Sequence, residues 1–439
     1  MTPGGNHRPE TFFPELLAPF QALTVTGHIR VALSGGLDSM VLLHLAHQVF
    51  GHCANGLSAI HVNHQLQPAA AGFEAASVET CQALGIPLEV VPVRIRAAGS
   101  VETSARDARY QVFADRLGPG DVLLMAHHGD DQVETLLFRF LRGTGVRGLG
   151  GIPAERPLGE GRLVRPLLGA DRELLRRQAQ AAGIGWQEDP TNAATDVDRN
   201  FLRHRIIPLL SARWPGLGAR LAATARACRE AQELADLLAR SHFEQLADGP
   251  HRIRLEGFGE LPLSARRNLL QWWLGDSLDR TLSDRELDGL VLAAADAMPE
   301  IPVGPFALRR FQGHIYRVTR YPDPVAGDQF LEPGRTIRDG DYTVSLKGEA
   351  GSGVSLLLTH RRGGERLRER AGGPSRPLKK WLQERSVPPW ERDRLPLVFR
   401  RDELVAVGDL WQLPQKEHTT EAGWQLDIRR EEGIVCDRK

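Results

Sequence analysis

The stretch Ile29-Arg-Val-Ala-Leu-Ser34-Gly35-Gly36-Leu37-Asp38-Ser39-Met-Val-Leu-Leu-His-Leu-Ala-His-Gln-Val-Phe50 decides how the chain is read. A short β-branched run, a loop with two adjacent glycines and an apolar pattern at three- and four-residue spacing predict strand, turn and helix in succession. Two glycines let the backbone fold back closely. The loop N–H groups, the helix N-terminus and the hydroxyls of Ser34 and Ser39 then surround one anion. Asp38 is out of place beside a phosphate unless a cation lies between them. The loop therefore predicts Mg²⁺ held by Asp38 and bridging it to the pyrophosphate of ATP. A turn serving only to cap a helix would need one Ser or Asp and none of the rest.

Outward from this loop, strands are predicted at Ile29–Leu33, Leu57–Val62, Leu88–Ile95 and Val122–Ala126, alternating with helices at Asp38–Phe50, Gly72–Leu84, Val101–Leu117 and Asp131–Leu141. Such alternation predicts an α/β fold with a parallel sheet, whose ligands bind beyond the carboxyl ends of the strands. Polar clusters fall at those ends: Ser34–Ser39, His61-Val-Asn-His64 and His127-His-Gly-Asp-Asp131. The Gly- and Pro-rich stretch from Gly143 to Pro166 reads as loop, followed by helices at Asp171–Ala182 and at residues 198–210, the latter stopping at Pro208. Its Gly143-Thr-Gly-Val-Arg-Gly148 string has dinucleotide-site spacing but follows a helix instead of a strand, so that reading fails on context. Beyond Pro215 the patterns predict helices at Leu217–Ala247, Ser264–Leu274 and Ser283–Ala297, a linker at Tyr321–Gly334, and a small mixed domain with strands at Tyr342–Leu346, Val354–Leu358 and Leu404–Val407. The expected domains are 1–215, a mostly helical 216–325, and a small α/β 335–439.

Composition excludes several chemistries. The 439 residues carry 55 basic and 55 acidic side chains, but the bases are 50 Arg and 5 Lys, with no lysine before Lys347. A lysine-containing P-loop, a Schiff base and a lysyl-nucleotide intermediate are ruled out there. Four scattered cysteines without a CxxC pair, and no secretory signal or bilayer-length apolar run, predict a reduced, cytoplasmic protein that does not enter membranes. His61 and His64 sit on opposite faces of a predicted strand, and His44 with His47 lacks further ligands, so no zinc site is expected.

In His127-His-Gly-Asp130-Asp131-Gln-Val-Glu134, Asp131 and Glu134 share a helix face. They read as a capping box with Asp131 as N-cap, or as an acidic cluster that holds a cationic amine. Capping accounts for neither the paired histidines nor Asp130. In Glu102-Thr-Ser-Ala-Arg106-Asp-Ala-Arg109-Tyr110, Glu102, Arg106, Arg109 and Tyr110 form one stripe, either of surface ion pairs or with an arginine facing developing phosphate charge.

The loop SGGLDS resembles that of the PP-loop ATP pyrophosphatases, an adenine nucleotide α-hydrolase-like fold that cleaves ATP to AMP and diphosphate. With HVNHQL, ETSARDARY, MAHHGDDQVET, LRGTGVRGLGGI, RPLL, EDPTN and RNFLRHRIIPLL in the first 210 residues, and RRGGERLR, RPLKKWLQERSVPPWERDRLPLVF and ELVAVGDLW later, the chain resembles the tRNA(Ile)-lysidine synthetase family. The resemblance implies a ligase that adenylates carbon 2 of the wobble cytidine in the CAU anticodon of tRNA(Ile). Free L-lysine then replaces AMP through its ε-amine, and decoding switches from AUG to AUA. It implies that Ser34, Gly35, Gly36, Leu37, Asp38 and Ser39 hold ATP, that Asp38 holds Mg²⁺, that Arg106 stabilises the adenylate, and that Asp131 with Glu134 takes the lysine. The tRNA would meet Arg199, Asn200, Arg203, Arg205, Lys379 and Lys380. Gln67 stands where the family has arginine, and Gly129 where it has leucine. A PP-loop tRNA thiolase and a non-catalytic tRNA-binding protein are the alternatives; the dispersed cysteines speak against the first and the intact acids against the second. Oligomeric state is left open, a homodimer included.

Residues 199–229 contain seven arginines and no acid, and residues 361–401 contain 13 bases against 5 acids. Both are expected phosphate tracks. Trp381 and Trp390 flank the second, for stacking on bases or, the favoured reading, for core packing.

Overall fold

The computed structural model describes residues 14–64, 70–93, 101–188, 198–275, 282–294, 297–348, 354–370, 372–413 and 424–430. Gln67, Arg94 and Ile95, the Glu102 side chain, Asp189-Pro-Thr-Asn192 and Cys436 lie outside the described residues. The chain divides into two compact units, Met1–Leu234 and Ala235–Lys439.

In the first unit the order is α1 (Pro14–Gln21), β1 (Ile29–Ala32), α2 (Leu37–Phe50), β2 (Leu57–Asn63), α3 (Ala70–Leu84), β3 (Leu88–Pro92), α4 (Val101–Ala114), β4 (Val122–Leu124) and α5 (Gly129–Leu141). There follow α6 (Val146–Leu149), β5 (Glu155–Leu158), β6 (Gly161–Val164), α7 (Arg172–Ala182), α8 (Asp198–Phe201), a π-helical turn (Leu202–Ile206), α9 (Ile207–Arg213) and α10 (Leu217–Leu246), whose end belongs to the second unit. The six strands form one sheet in the order β3-β2-β1-β4-β6-β5, parallel except for the antiparallel edge strand β5. Val31, Val122, Leu123 and Leu124 are buried, as befits central strands covered on both faces. Helix α2 is buried almost all round, through Leu37, Met40, Val41, Leu42, Leu43, Leu45 and Ala46. At about 1.5–3 kcal/mol for each fully buried large side chain, this packing fixes the N-terminus of α2 against the sheet.

The strand order positions the site. From β1 the chain builds outward to β2 and β3, then crosses back to lay β4 on the other side of β1. The loops leaving β1 and β4 therefore part at a switch point, and a crevice opens between them.

Three local expectations are corrected. The stretch 143–166 is not all loop: it holds α6 and the β5–β6 hairpin, whose four-residue strands are masked in sequence by Gly, Pro and Arg. Helix α5 begins at Gly129, so its N-cap is His128, and Asp131 is the third helical residue, reaching back to the His128 N–H at 3.0 Å. The helix of residues 198–210 does not stop at Pro208. The π-turn changes the hydrogen-bond register just ahead of it, leaving the proline in the first turn of α9, where a missing N–H is tolerated.

The second unit opens with the remainder of α10, then β7 (Arg252–Arg254), α11 (Leu255–Glu260), α12 (Leu263–Leu274), α13 (Asp284–Leu292), β8 (Glu300–Val303), β9 (Phe306–Phe311) and β10 (His314–Thr319). The helical expectation holds as far as Leu292. A four-stranded antiparallel sheet, β7-β10-β9-β8, completes this part around Phe258, Leu269, Leu270 and Leu308. The remainder is β11 (Gln329–Leu331), β12 (Thr336–Asp339), β13 (Tyr342–Lys347), β14 (Leu356–Thr359), β15 (Arg366–Leu367), β16 (Arg376–Pro377), α14 (Leu378–Glu384), α15 (Pro389–Arg392), β17 (Leu397–Arg400), β18 (Glu403–Val407), β19 (Trp411–Gln412) and β20 (Gln425–Arg430). Trp381 is fully buried at the centre of this core, with Arg385 stacked 4.0 Å from its ring, and is closed to base stacking. Trp390 packs edge-on against Phe311 and Tyr316 at 5.8 and 5.5 Å. No helix among the described residues is long and apolar enough to cross a membrane.

Candidate active site

The loop between β1 and α2 is shaped by a glycine that no other residue could replace unstrained. Gly35 has φ +83°, and a Cβ there would lie 2.7 Å from the Phe73 carbonyl oxygen. Ser39 Oγ accepts from the Ser34 N–H at 3.1 Å, bonds the Ser34 hydroxyl at 2.9 Å and donates to Gly36 O at 3.0 Å. The two hydroxyls thus brace the loop, and the donors facing outward are the first backbone N–H groups of the 14-residue α2. A cavity of about 970 Å³ opens here, lined by Ser34, Gly36, Asp38, Arg172, Arg176, Trp186 and other residues, ample for a nucleotide.

Asp38 projects from the first turn of α2 toward the loop after β4. Its Oδ2 lies 3.6 Å from His128 Nε2 and its Oδ1 3.8 Å from Arg172 Nε. Oδ1 is buried and accepts no hydrogen bond among the described residues. Burial opposes ionisation of Asp38, but the close approach of His128 and the charges of His128, Arg172 and Arg203 outweigh it and hold the carboxyl below the usual range. An ionised carboxylate with an orphaned oxygen, at a helix N-terminus that attracts phosphate, fits a hard divalent cation. Among the described residues no cluster of three metal-binding side chains exists, so other ligands would be phosphate oxygens and water.

His128 is the hub. It is 2% exposed, with Asp38, Asp130 and Asp131 oxygens 3.6–3.7 Å from its ring nitrogens. Burial disfavours its charge, yet the contact with Asp38 and the charges of Asp131, Asp38 and Asp130 raise its pKa above the ordinary value. His127, next in sequence, goes the other way: burial, with Arg165 and Arg106 adding to it against the pull of Asp131, pushes it down to about 4. It is a neutral acceptor for Arg165 Nε at 3.1 Å. At Gly129 the chain runs close to its neighbour: its N–H donates to Ala170 O at 2.7 Å, and a Cβ would come within 2.9 Å of that oxygen, so a larger residue needs the 168–170 segment to move. Asp130 accepts from the Arg172 N–H at 2.8 Å, tying the start of α5 to the start of α7.

One turn further along α5, Glu134 is 4% exposed and carries the guanidinium of Arg203, with Nη2 at 2.9 Å from Oε2 and Nε on Oε1. Arg203 Nη2 also lies 3.5 Å from Asp131 Oδ1. Burial pushes the Glu134 carboxyl up and Arg203 pulls it back; with two N–H groups on the carboxylate the pair is ionised. Burial likewise opposes the Arg203 charge, while Glu134, Asp131 and Asp38 raise it.

The structure brings Asp38, Asp131, Glu134 and Arg203 into one array. Arg203 therefore sits on the acids rather than beside Arg199 and Arg205, which are not bonded to them. Arg106 is exposed, with its guanidinium 5.4 Å from the Tyr110 ring. Arg199 lies 5.6 Å from the Phe138 ring, Asn200 is half-buried, and Arg205, Lys379 and Lys380 are exposed. Sequence reasoning missed Arg172 and Arg176 in the cavity wall and the central place of His128. The doubled histidine was the available signal for the latter; an arginine at the start of an unremarkable helix offers none.

The crevice, the phosphate loop and the orphaned carboxylate define an ATP-utilising protein of the PP-loop class, and a PP-loop domain profile matches residues 10–210. Profiles described as TilS substrate binding domain and TilS substrate C-terminal domain match residues 254–316 and 356–428. A tRNA(Ile)-lysidine synthase of Pseudomonas aeruginosa is 43% identical over 428 residues, covering 94% of this chain and 95% of its own. One from Alkalilimnicola ehrlichii is 38% identical over 435 residues, covering 94% and 96%. One from Coxiella burnetii is 34% identical over 441 residues, covering 95% and 97%. The chain belongs to the tRNA(Ile)-lysidine synthase family.

Proposed function

We propose that this protein is an ATP-dependent ligase that forms lysidine on tRNA(Ile). The carbon 2 oxygen of the wobble cytidine in the CAU anticodon attacks the α-phosphorus of ATP, and diphosphate leaves. The ε-amine of free L-lysine then attacks carbon 2, the C–O bond breaks with departure of AMP, and the amine loses a proton. The observation that carries this reading is the ionised, orphaned Asp38 at the mouth of the phosphate loop, facing His128 and Asp131 across the crevice. Mg²⁺ on Asp38 would neutralise charge on the phosphates of ATP. The N-terminus of α2 orients those phosphates, and His128 lies between Asp38 and the acids at the start of α5. The acids Asp131 and Glu134 are the proposed lysine site; Arg203 is their resident counter-ion, with which the substrate ammonium competes for the carboxylates. Arg106 is the proposed stabiliser of the adenylate, and Arg199, Asn200, Arg205, Lys379 and Lys380 are proposed tRNA contacts.

No lysine precedes Lys347, so the attacking amine of this reaction arrives as substrate. ATP, free lysine and tRNA meet in the cytoplasm, the proposed site of action. The decisive assay supplies ATP, labelled lysine and unmodified tRNA(Ile). Alkali-resistant label in the RNA with equimolar AMP supports the reading, and its absence refutes it. Sulfur transfer instead would mean a thiolase, an alternative not favoured by the family match. Sedimentation of the full chain distinguishes monomer from homodimer.

A further inference from the structure

On the His127 side of the crevice the first unit gathers arginines that have no acid. Arg165 follows directly on β6, is 5% exposed, and donates to His127 Nδ1 and to Pro153 O. Arg156 and Arg106 lie 4.9 and 5.4 Å from the ring of Tyr110; burial opposes ionisation of its phenol, but Arg106, Arg165 and Arg156 pull it below its ordinary range. Arg139 donates to the carbonyls of Gly148 and Gly151 at 2.9 and 3.0 Å. Arg199 rests on Phe138, one residue before Arg139. No carboxylate pairs with any of these five among the described residues, although acids of the same unit pair elsewhere with Arg30, Arg116, Arg162, Arg172, Arg176 and Arg203.

The five are electrostatically continuous. Burial, then the charges of Arg199 and Arg106, hold Arg139 below the ordinary arginine range. Burial likewise lowers Arg165, with Arg156 and Arg106 adding to it against the Tyr110 oxygen. Like charges assembled in a half-buried place without counter-ions are unfavourable for folding alone. Such a cluster suits an anion supplied from outside, and the planar forks of arginine match phosphate oxygens. None of the five lines the cavity at the phosphate loop, so that anion is not the triphosphate seated there.

We propose that Arg106, Arg139, Arg156, Arg165 and Arg199 form a track for the phosphodiester backbone of the tRNA anticodon loop. It brings that loop to the crevice from the α4 and α5 side. This rests on the reading of tRNA as substrate and adds where its backbone is held. The apolar surface continues the track: Phe140 is 67% exposed and Phe201 48%, and their helices α5 and α8 are in contact, offering rings for unstacked bases beside the phosphates.

The test measures affinity for unmodified tRNA(Ile) as a function of salt, and ATP affinity in parallel, for the full-length protein and its Arg139→Gln, Arg139→Lys and Arg199→Gln variants. Arg199→Gln removes only a ring contact and leaves the fold intact, which keeps the test valid if Arg139→Gln unfolds. Each Gln variant is expected to weaken tRNA binding about five- to tenfold and to reduce the slope of log K against log salt by about 0.7, with ATP affinity within about twofold. Arg139→Lys is expected to restore the slope. An unchanged slope in Arg199→Gln, or a loss of ATP affinity with tRNA binding intact, overturns the proposal. Failure of the unsubstituted protein to bind tRNA would instead refute the functional reading.

Discussion

Two groups of arginines in this protein, one close in sequence and one gathered by the fold, have opposite surroundings. In residues 361–401 five of the eleven arginines pair with carboxylates, Arg385 with Glu369 among them. Arg361 meets Asp393, Arg362 meets Asp328, Arg376 meets Glu384 and Glu369, and Arg394 meets the buried Asp341, which Arg430 also holds. At the crevice of the first unit, by contrast, Arg106, Arg139, Arg156, Arg165 and Arg199 have no carboxylate partner among the described residues, and Asp38 Oδ1 accepts no hydrogen bond there. Charges that satisfy one another hold a fold together, whereas charges left unsatisfied wait for a ligand. Counting bases against acids along a chain cannot distinguish the two.

The contrast can be broken most sharply at Asp38. Asp38→Ala should lower AMP release about a thousandfold or more, by several kcal/mol of lost phosphate stabilisation, while tRNA affinity stays within about twofold and thermal stability does not fall. Equal losses of AMP release and tRNA affinity would mean that Asp38 does not belong to the ATP side. Asp341→Ala tests the opposite pole. The aspartate is 1% exposed, with Arg430 Nε at 2.9 Å and Arg394 Nη2 at 3.3 Å, so its removal strands buried cations and should cost about 3–5 kcal/mol in urea denaturation. The folded fraction should retain its rate of AMP formation.

A pH experiment probes the boundary of the arginine cluster. His127 titrates near 4 in the folded chain against an ordinary 6.5, so between those values the unfolded chain binds the extra proton. Stability should therefore fall as pH drops from 7 toward 4, and His127→Gln should remove about 2–3 kcal/mol of that fall. Identical pH profiles would show that His127 is not held neutral. Smallest of all, Arg376→Ala breaks partly exposed pairs and should change stability by less than about 1 kcal/mol.

Much of the first unit was legible because its chemistry is local. SGGLDS between a β-branched run and an apolar helix specifies strand, anion-binding turn and helix with no distant information, and the four core strands read as apolar runs because both faces are covered. The β5–β6 hairpin was not legible, since Glu155-Arg-Pro-Leu carries no alternation and gains its place from pairing with β6. In the four-stranded sheet of the second unit β7 was hidden likewise, since its partner β10 lies about 60 residues further along, while β8, β9 and β10 follow one another as short hairpins with weak strand patterns. In the site, Asp38 was readable from its misfit beside phosphate. The bond between Arg203 and Glu134 was not, because 69 residues separate them and only the fold brings them together.

The π-turn at Leu202–Ile206 makes the length of this segment part of the site's geometry. A π-turn spends one residue more than an α-turn, so excising a single residue there would give a regular helix of better intrinsic geometry. Every side chain beyond the cut would then swing about 100° around the helix axis relative to those before it. Arg203 could no longer face Glu134 while Leu202 and the α9 residues kept their present directions. The Arg203–Glu134 pair thus fixes the residue count of this turn more tightly than helix geometry alone would.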